Sequence, residues 1–139
     1  MDFCIAIMGT GKSAEKMAQA VNETEGVTAY AVASRDKERA KKFALSFQFE
    51  KAYGSYEEML KDDKIDLVYI ATPHSFHHEH MLSCFRHGKN VMCEKLFTTS
   101  YHEAKETLLF AEEQRIFVAE AVSLRYMPIM HELQSLIAK

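Results

Sequence analysis

An α/β fold, a mostly parallel sheet with helices wound over both faces, is what this sequence predicts, and three observations point to it. Apolar, β-branched runs alternate with charged stretches of helical period, as repeated strand-helix-strand units around a parallel sheet require. A glycine-rich turn, Gly9-Thr10-Gly11-Lys12-Ser13-Ala14, falls between the first apolar run and the first helical stretch. The chain has 139 residues, 47% of them hydrophobic and 27% charged, an ordinary globular composition with enough apolar surface for one core.

Taken in order, Phe3–Met8 is the first strand and Lys12–Asn22 the first helix, with Ala14, Met17, Ala18 and Val21 on one face. Val27–Ala33 is the second strand, and Lys37–Phe47 the second helix, whose apolar stripe is Ala40, Phe43, Ala44 and Phe47. A weak strand is expected near residues 49–52. Ser55 with Glu58, and Ser100 with Glu103, are capping boxes that start two further helices, and Asp62-Asp63 closes the first of them. A strand over 67–71, a helix over 77–87 stopped by Gly88, and strands over 90–93 and 116–119 complete the sheet. The stretch 121–139 reads as helical but broken at Pro128, which a helix accepts near its start and not in its interior. Met8, Met17, Met59, Met81 and Met92 fall in apolar patterns and read as core filler.

A net charge of −3 without a basic tract argues against nucleic acid as a partner and leaves small anions as the favoured class. Cys4, Cys84 and Cys93 are odd in number and have no C-x-x-C spacing, so no secreted disulfide framework is expected, and a reducing cytoplasm is the expected location. No apolar run approaches the ~20 residues of a membrane span, and Met1-Asp2 supplies no basic leader region.

The glycine turn carries the first chemical expectation. Glycine adopts positive φ without a Cβ penalty, and its missing side chain lets main-chain N–H groups approach phosphate oxygens at a helix start. Gly9, Thr10, Gly11, Lys12 and Ser13 are therefore expected to cradle a dinucleotide pyrophosphate, with Ala14 at the third small position of G-x-G-x-x-G/A. Two alternatives stay open: a plain strand-to-helix turn, and a nucleoside-triphosphate P-loop ending in Gly11-Lys12-Ser13, whose first glycine would fall on Ala6. Where an NAD site carries a carboxylate at the end of the second strand, this chain has Ser34, followed by Arg35 and Arg39. Two guanidinium groups there suit a 2′-phosphate, so NADP is expected ahead of NAD; the alternative is that both arginines pair with Asp36 or Glu38.

Gly9-Thr10-Gly11, Ala33-Ser34-Arg35, Tyr69-Ile70-Ala71-Thr72-Pro73, His77 and Gly88-Lys89-Asn90-Val91-Met92-Cys93-Glu94-Lys95, in this order and spacing, resemble the amino-terminal domain of the Gfo/Idh/MocA oxidoreductases. Within that family the likeness is nearest to the NADP-linked trans-1,2-dihydrodiol and xylose-type sugar dehydrogenases. The resemblance implies a Rossmann domain over residues 1–120. It makes 121–139 a connecting segment toward a substrate domain that this chain does not include. Position by position it implies that Thr72, Pro73, His74 and His77 run beside the cofactor, and that Glu94-Lys95 is the start of the family's Glu-Lys-Pro motif. Lys95 is then the catalytic candidate, an ammonium that holds a substrate oxygen, with Glu94 setting its position. Leu96 stands where the family has proline, and Ala121-Val122-Ser123 lacks an aromatic residue often seen there. The implied activity is hydride transfer between a nicotinamide and a sugar, polyol or cyclic diol, with a homo-oligomer expected for the full-length protein only. A module that binds NADP(H) without turnover is the alternative. His74, His77, His78 and His80 invite a metal reading, but no H-E-x-x-H pattern supports it and no metal is expected.

Overall fold

The computed structural model describes residues 2–138; Met1 and Lys139, the outer ends of the two expected segments, lie outside the described residues. Six strands, β1 (Phe3–Met8), β2 (Val27–Ala33), β3 (Lys51–Tyr53), β4 (Leu67–Ile70), β5 (Asn90–Glu94) and β6 (Val118–Ala121), form one sheet in the order β3-β2-β1-β4-β5-β6. Every pairing is parallel. Six helices connect and follow them: α1 (Lys12–Asn22), α2 (Lys37–Phe47), α3 (Tyr56–Leu60), α4 (His77–Arg86), α5 (Tyr101–Glu113) and α6 (Pro128–Ile137).

Strand alternation divides the core in two. Ile5, Ile7, Val32, Leu67 and Tyr69 pack on Ala14, Ala18 and Val21 of α1 and on Phe43 and Ala44 of α2. The intervening residues, Ala6, Met8, Ala31, Ala33, Val68 and Ile70, pack on the other face with Met59, Leu60, Met81, Leu82, Phe85 and Ala111. Of the five methionines expected inside, Met8, Met59 and Met81 are buried, and Met17 and Met92 are half-buried.

Differences from the expected boundaries have local causes. Phe49 is not in a strand: Gln48 takes the left-handed conformation at φ 57°, and Phe49 N closes α2 on Ala44 O, so β3 begins at Lys51. Similarly, Arg115 is left-handed at φ 55° and Ile116 N bonds back to Ala111 O. Phe117 N is taken by the Asn90 side chain, and the β6 ladder starts only at Val118. The break at 128 is present, with a 3₁₀ turn over Ser123–Tyr126 followed by Pro128 as the first residue of α6. Ser55 and Ser100 cap their helices by accepting from Glu58 N and Glu103 N, but neither capping box closes: the Glu58 carboxylate makes no bond back to Ser55 N, and that of Glu103 accepts from Thr99 instead of Ser100.

Candidate functional site

The chain leaves β1 toward β2 on one side and returns to β4 on the other, so the strand order reverses between β1 and β4, where open α/β sheets bind ligands beyond the carboxyl ends of their strands. A cleft of about 700 Å³ opens there. The segment from Gly9 to Ser13 forms one wall, Ser34, Arg35 and Arg39 the end beyond β2, and Thr72 and Pro73 the wall beyond β4.

Gly9 has φ +107°, and a Cβ on it would stand 2.7 Å from Ala71 O, so both the turn and the close approach of the two loops require glycine. Gly11 differs. It caps α1 at φ −89°, a conformation open to any residue, and a Cβ there would meet no protein atom within 4 Å. The space its missing side chain leaves belongs to the cleft. No side chain caps α1, so the N–H groups of its first turn have no intrahelical partner and present partial positive charge at the cleft floor. Ala14 is fully buried on the inner face of α1, as its position in the motif requires. Ala6 lies mid-strand, in register with Ala31 and Val68, so no loop begins there and the P-loop spacing is not realised.

At the β2 end Ser34 is buried, and its hydroxyl accepts from Asp36 N. Asp36 is the N-cap of α2, with Oδ1 accepting from Glu38 N at 2.9 Å and Arg39 N at 3.3 Å. Glu38 pairs with Lys41 at 2.8 Å. Among the described residues neither Arg35 nor Arg39 forms an ion pair, so the expected alternative of arginines tied to Asp36 or Glu38 does not hold. Tyr56 lines the same end, its phenol pushed up by burial and drawn down by Arg35 and Arg39.

Four of the expected site residues stand outside this cleft. His74 is exposed, its ring edge-on to that of His77 at 5.5 Å. His77 is fully buried, with Nε2 2.8 Å from Thr72 O and Nδ1 2.6 Å from Leu96 O, so its place is behind the cleft wall and not on it. Glu94 and Lys95 lie at the end of β5, next to β4, with the Glu94 carboxylate accepting from the Tyr69 hydroxyl and, at 3.1 Å, from Lys95 N. Burial and the Glu94 hydrogen bond hold the Tyr69 phenol well above its ordinary range, which keeps it a donor. Lys95 is exposed, and the Lys95–Leu96 peptide is cis. The histidines diverge: His78 binds Thr107 Oγ1 at 2.9 Å and faces Glu106, while His80 binds Thr72 Oγ1 at 2.9 Å.

Residues 3–121 match the family model described as "Oxidoreductase family, NAD-binding Rossmann fold". The chain belongs to the Gfo/Idh/MocA family. Similar proteins include the trans-1,2-dihydrobenzene-1,2-diol dehydrogenase of Xenopus tropicalis, 38% identical over 109 residues, which are 78% of this chain and 33% of that protein. The enzyme of the same name from Mus musculus is 41% identical over the same shares. A 3-ketoreductase from Actinomadura kijaniata, solved with NADP and TDP-benzene, superposes with a TM-score of 0.94 at 25% identity, covering 99% of this chain and 42% of that one. The chain thus spans about a third of the length of the curated dehydrogenases it matches.

In this Gfo/Idh/MocA domain, the sequence reading gave no cleft role to Tyr56, Ala71 and Asp36 and no partner to Tyr69 behind Glu94, although Tyr69 and Ala71 stand in a segment that carries the family resemblance. Asp36 was findable, since an Asp directly before a charged helical stretch is an N-cap signal. Tyr56 and Tyr69 carried no such signal, because both act through neighbours distant in sequence. All three cysteines are free, and burial pushes the Cys84 thiol well up and Cys93 to about 12, so both are inert small apolar groups.

Proposed function

We propose that this chain is the NADP(H)-binding part of an oxidoreductase that transfers a hydride between nicotinamide and a carbon of a sugar, polyol or cyclic diol. The cleft suits a dinucleotide: a glycine cradle at an uncapped helix start for the pyrophosphate, and Ser34, Arg35 and Arg39 where the adenosine 2′-phosphate would lie. The observation that carries the NADP reading is the free pair Arg35 and Arg39, with the nearby Asp36 carboxylate turned into the first turn of α2. The solved 3-ketoreductase with NADP supports the same choice; NAD remains the weaker ligand.

When bound, the nicotinamide supplies the carbon that takes or gives the hydride. The residues of this chain do the rest. Thr72 and Pro73 wall the cofactor. Lys95 donates a hydrogen bond to a substrate oxygen and stabilises the negative charge that develops on it, and Glu94 steadies the Lys95 main chain. Residues 1–120 act as the dinucleotide domain and 121–139 as the connection to a substrate domain, which would also make the oligomer. The related dihydrodiol dehydrogenases support this substrate class. The free thiols fit a cytoplasmic setting, and among the described residues no helix is long and apolar enough to cross a membrane.

Titration calorimetry of the chain with NADPH and NADH tests the reading. Tighter binding of NADPH is expected; equal affinities would remove the 2′-phosphate role, and binding of neither would remove the function. A non-catalytic binding module is the second reading, favoured by the separation of the exposed Lys95 from the cleft. Turnover assays of the full-length protein with sugars and diols separate the two.

A further inference from the structure

Behind the cleft, His77 joins two loops that otherwise belong to different strands. Its ring is fully buried, with one nitrogen at Thr72 O and the other at Leu96 O, 2.8 and 2.6 Å away. Thr72 follows β4 and lines the cleft, while Leu96 follows β5 and is next to Lys95. The other ties on the Lys95 loop come from elsewhere. Tyr69 holds Glu94 at its start, and the Glu120 carboxylate accepts from Phe97 N at 2.9 Å at its end. His77 is the tie that reaches the cleft wall.

We propose that His77 is a positioning residue, a strut through which seating of the dinucleotide against Thr72 sets the main chain beside Lys95. The proposal rests on the cofactor reading above. An imidazole is rigid, so the separation of its two nitrogens fixes the separation of the two carbonyls. A carbonyl oxygen only accepts, so a neutral ring, with its one N–H, donates to one of the two carbonyls at a time, and both are hydrogen-bonded together only when both ring nitrogens carry a proton. A buried carbonyl left without a partner costs roughly 1–3 kcal/mol, so neither end of the strut moves without a response at the other. Thr72 is itself held from its side chain by His80 Nδ1 at 2.9 Å, which makes the cleft wall a defined surface for a ligand to press on. His77 thereby orders Lys95 when the cofactor is in place, and leaves it freer when the cleft is open.

The test uses the ¹⁵N-labelled chain, NADPH as the probe, and amide hydrogen exchange at Lys95, Leu96 and Phe97. In the wild type, saturating NADPH should slow exchange at Lys95 and Leu96 by at least about fivefold, the lower end of ordinary coupling between sites. In His77→Gln, NADPH still binds, weakened by less than about tenfold, and Thr72 still responds, but the change at Lys95 and Leu96 falls below about twofold. A full response at Lys95 and Leu96 in His77→Gln overturns the strut, since contact from the cofactor itself would then explain it. Should that variant not fold, the wild type decides: the His77 ring N–H resonances should shift with NADPH, and ring signals that stay fixed while the Thr72 amide shifts overturn the proposal. NADPH binding to the wild type without a response at Lys95 sinks the strut alone, whereas no NADPH binding sinks the cofactor reading and the strut with it.

Discussion

Gly9 and Gly11 are two residues apart, yet they are glycine for different reasons. Gly9 needs its left-handed φ of +107° and has Ala71 O where a Cβ would go, whereas Gly11 has neither constraint and leaves room in the cleft. Gly9→Ala should therefore cost stability, about 1–3 kcal/mol from the backbone conformation alone, and lower the melting temperature. Gly11→Ala should leave melting unchanged and weaken NADPH binding. Calorimetric melting and ligand titration of both variants check the contrast, and the reverse pattern would contradict it. Arg35→Ala removes a charge-assisted contact of about 1.5–3 kcal/mol, so NADPH should bind about ten- to hundredfold more weakly, with NADH little affected. Equal losses for the two nucleotides would dissociate Arg35 from the 2′-phosphate.

Among the elements, short β3 is held in place by a polar knot. Asp62 Oδ2 accepts from Lys51 Nζ at 2.6 Å, Tyr53 OH at 2.7 Å and Tyr30 OH at 2.9 Å. Burial pushes the Asp62 carboxyl up, but the hydrogen bonds from Lys51, Tyr53, Lys64 N and Tyr30 outweigh it and hold the group far below the usual carboxylate range. A carboxyl lowered on folding stabilises the fold at every pH above its unfolded value, about 4, and that stability is lost as pH falls from there toward the folded value. Asp62→Asn should thus melt below the wild type at neutral pH, with the gap narrowing under acid conditions below about pH 4. Thermal melts at a series of pH values read this directly; a gap that holds constant into acid would mean that the charge of Asp62 is not what holds β3. Nothing in the spacing of Tyr30, Lys51, Tyr53 and Asp62 announces this knot, whereas the boundaries of β1, α1, β2 and α2 were legible to the residue. Periodicity and caps are local signals. The shifted starts of β3 and β6 followed from left-handed residues at Gln48 and Arg115, which are not glycines and so carried no mark in the sequence.

For the molecule as a whole, α6 stands apart from the core. No residue of it is buried, its main contact is the 3₁₀ turn before it, and Ile129, Leu133, Leu136 and Ile137 are exposed. Ending the chain after Met127 should therefore shift the melting temperature by no more than about 2 °C and leave NADPH affinity unaltered. A larger loss in either measurement would show that α6 supports the Rossmann body. The sequence by itself determined the parallel α/β winding, the glycine turn and the arginine pair, because hydrophobic period, turn chemistry and charge each act within a few residues. Only the tertiary structure decided that Gly9 and Ala71 close on one another, that the Asp36 carboxylate binds the main-chain N–H groups of Glu38 and Arg39 and no guanidinium, and that His77 lies behind the cleft between Thr72 and Leu96. Those relations depend on which strands become neighbours, and adjacency of β1 with β4 and of β4 with β5 is a property of the packed sheet that no local stretch of chain encodes.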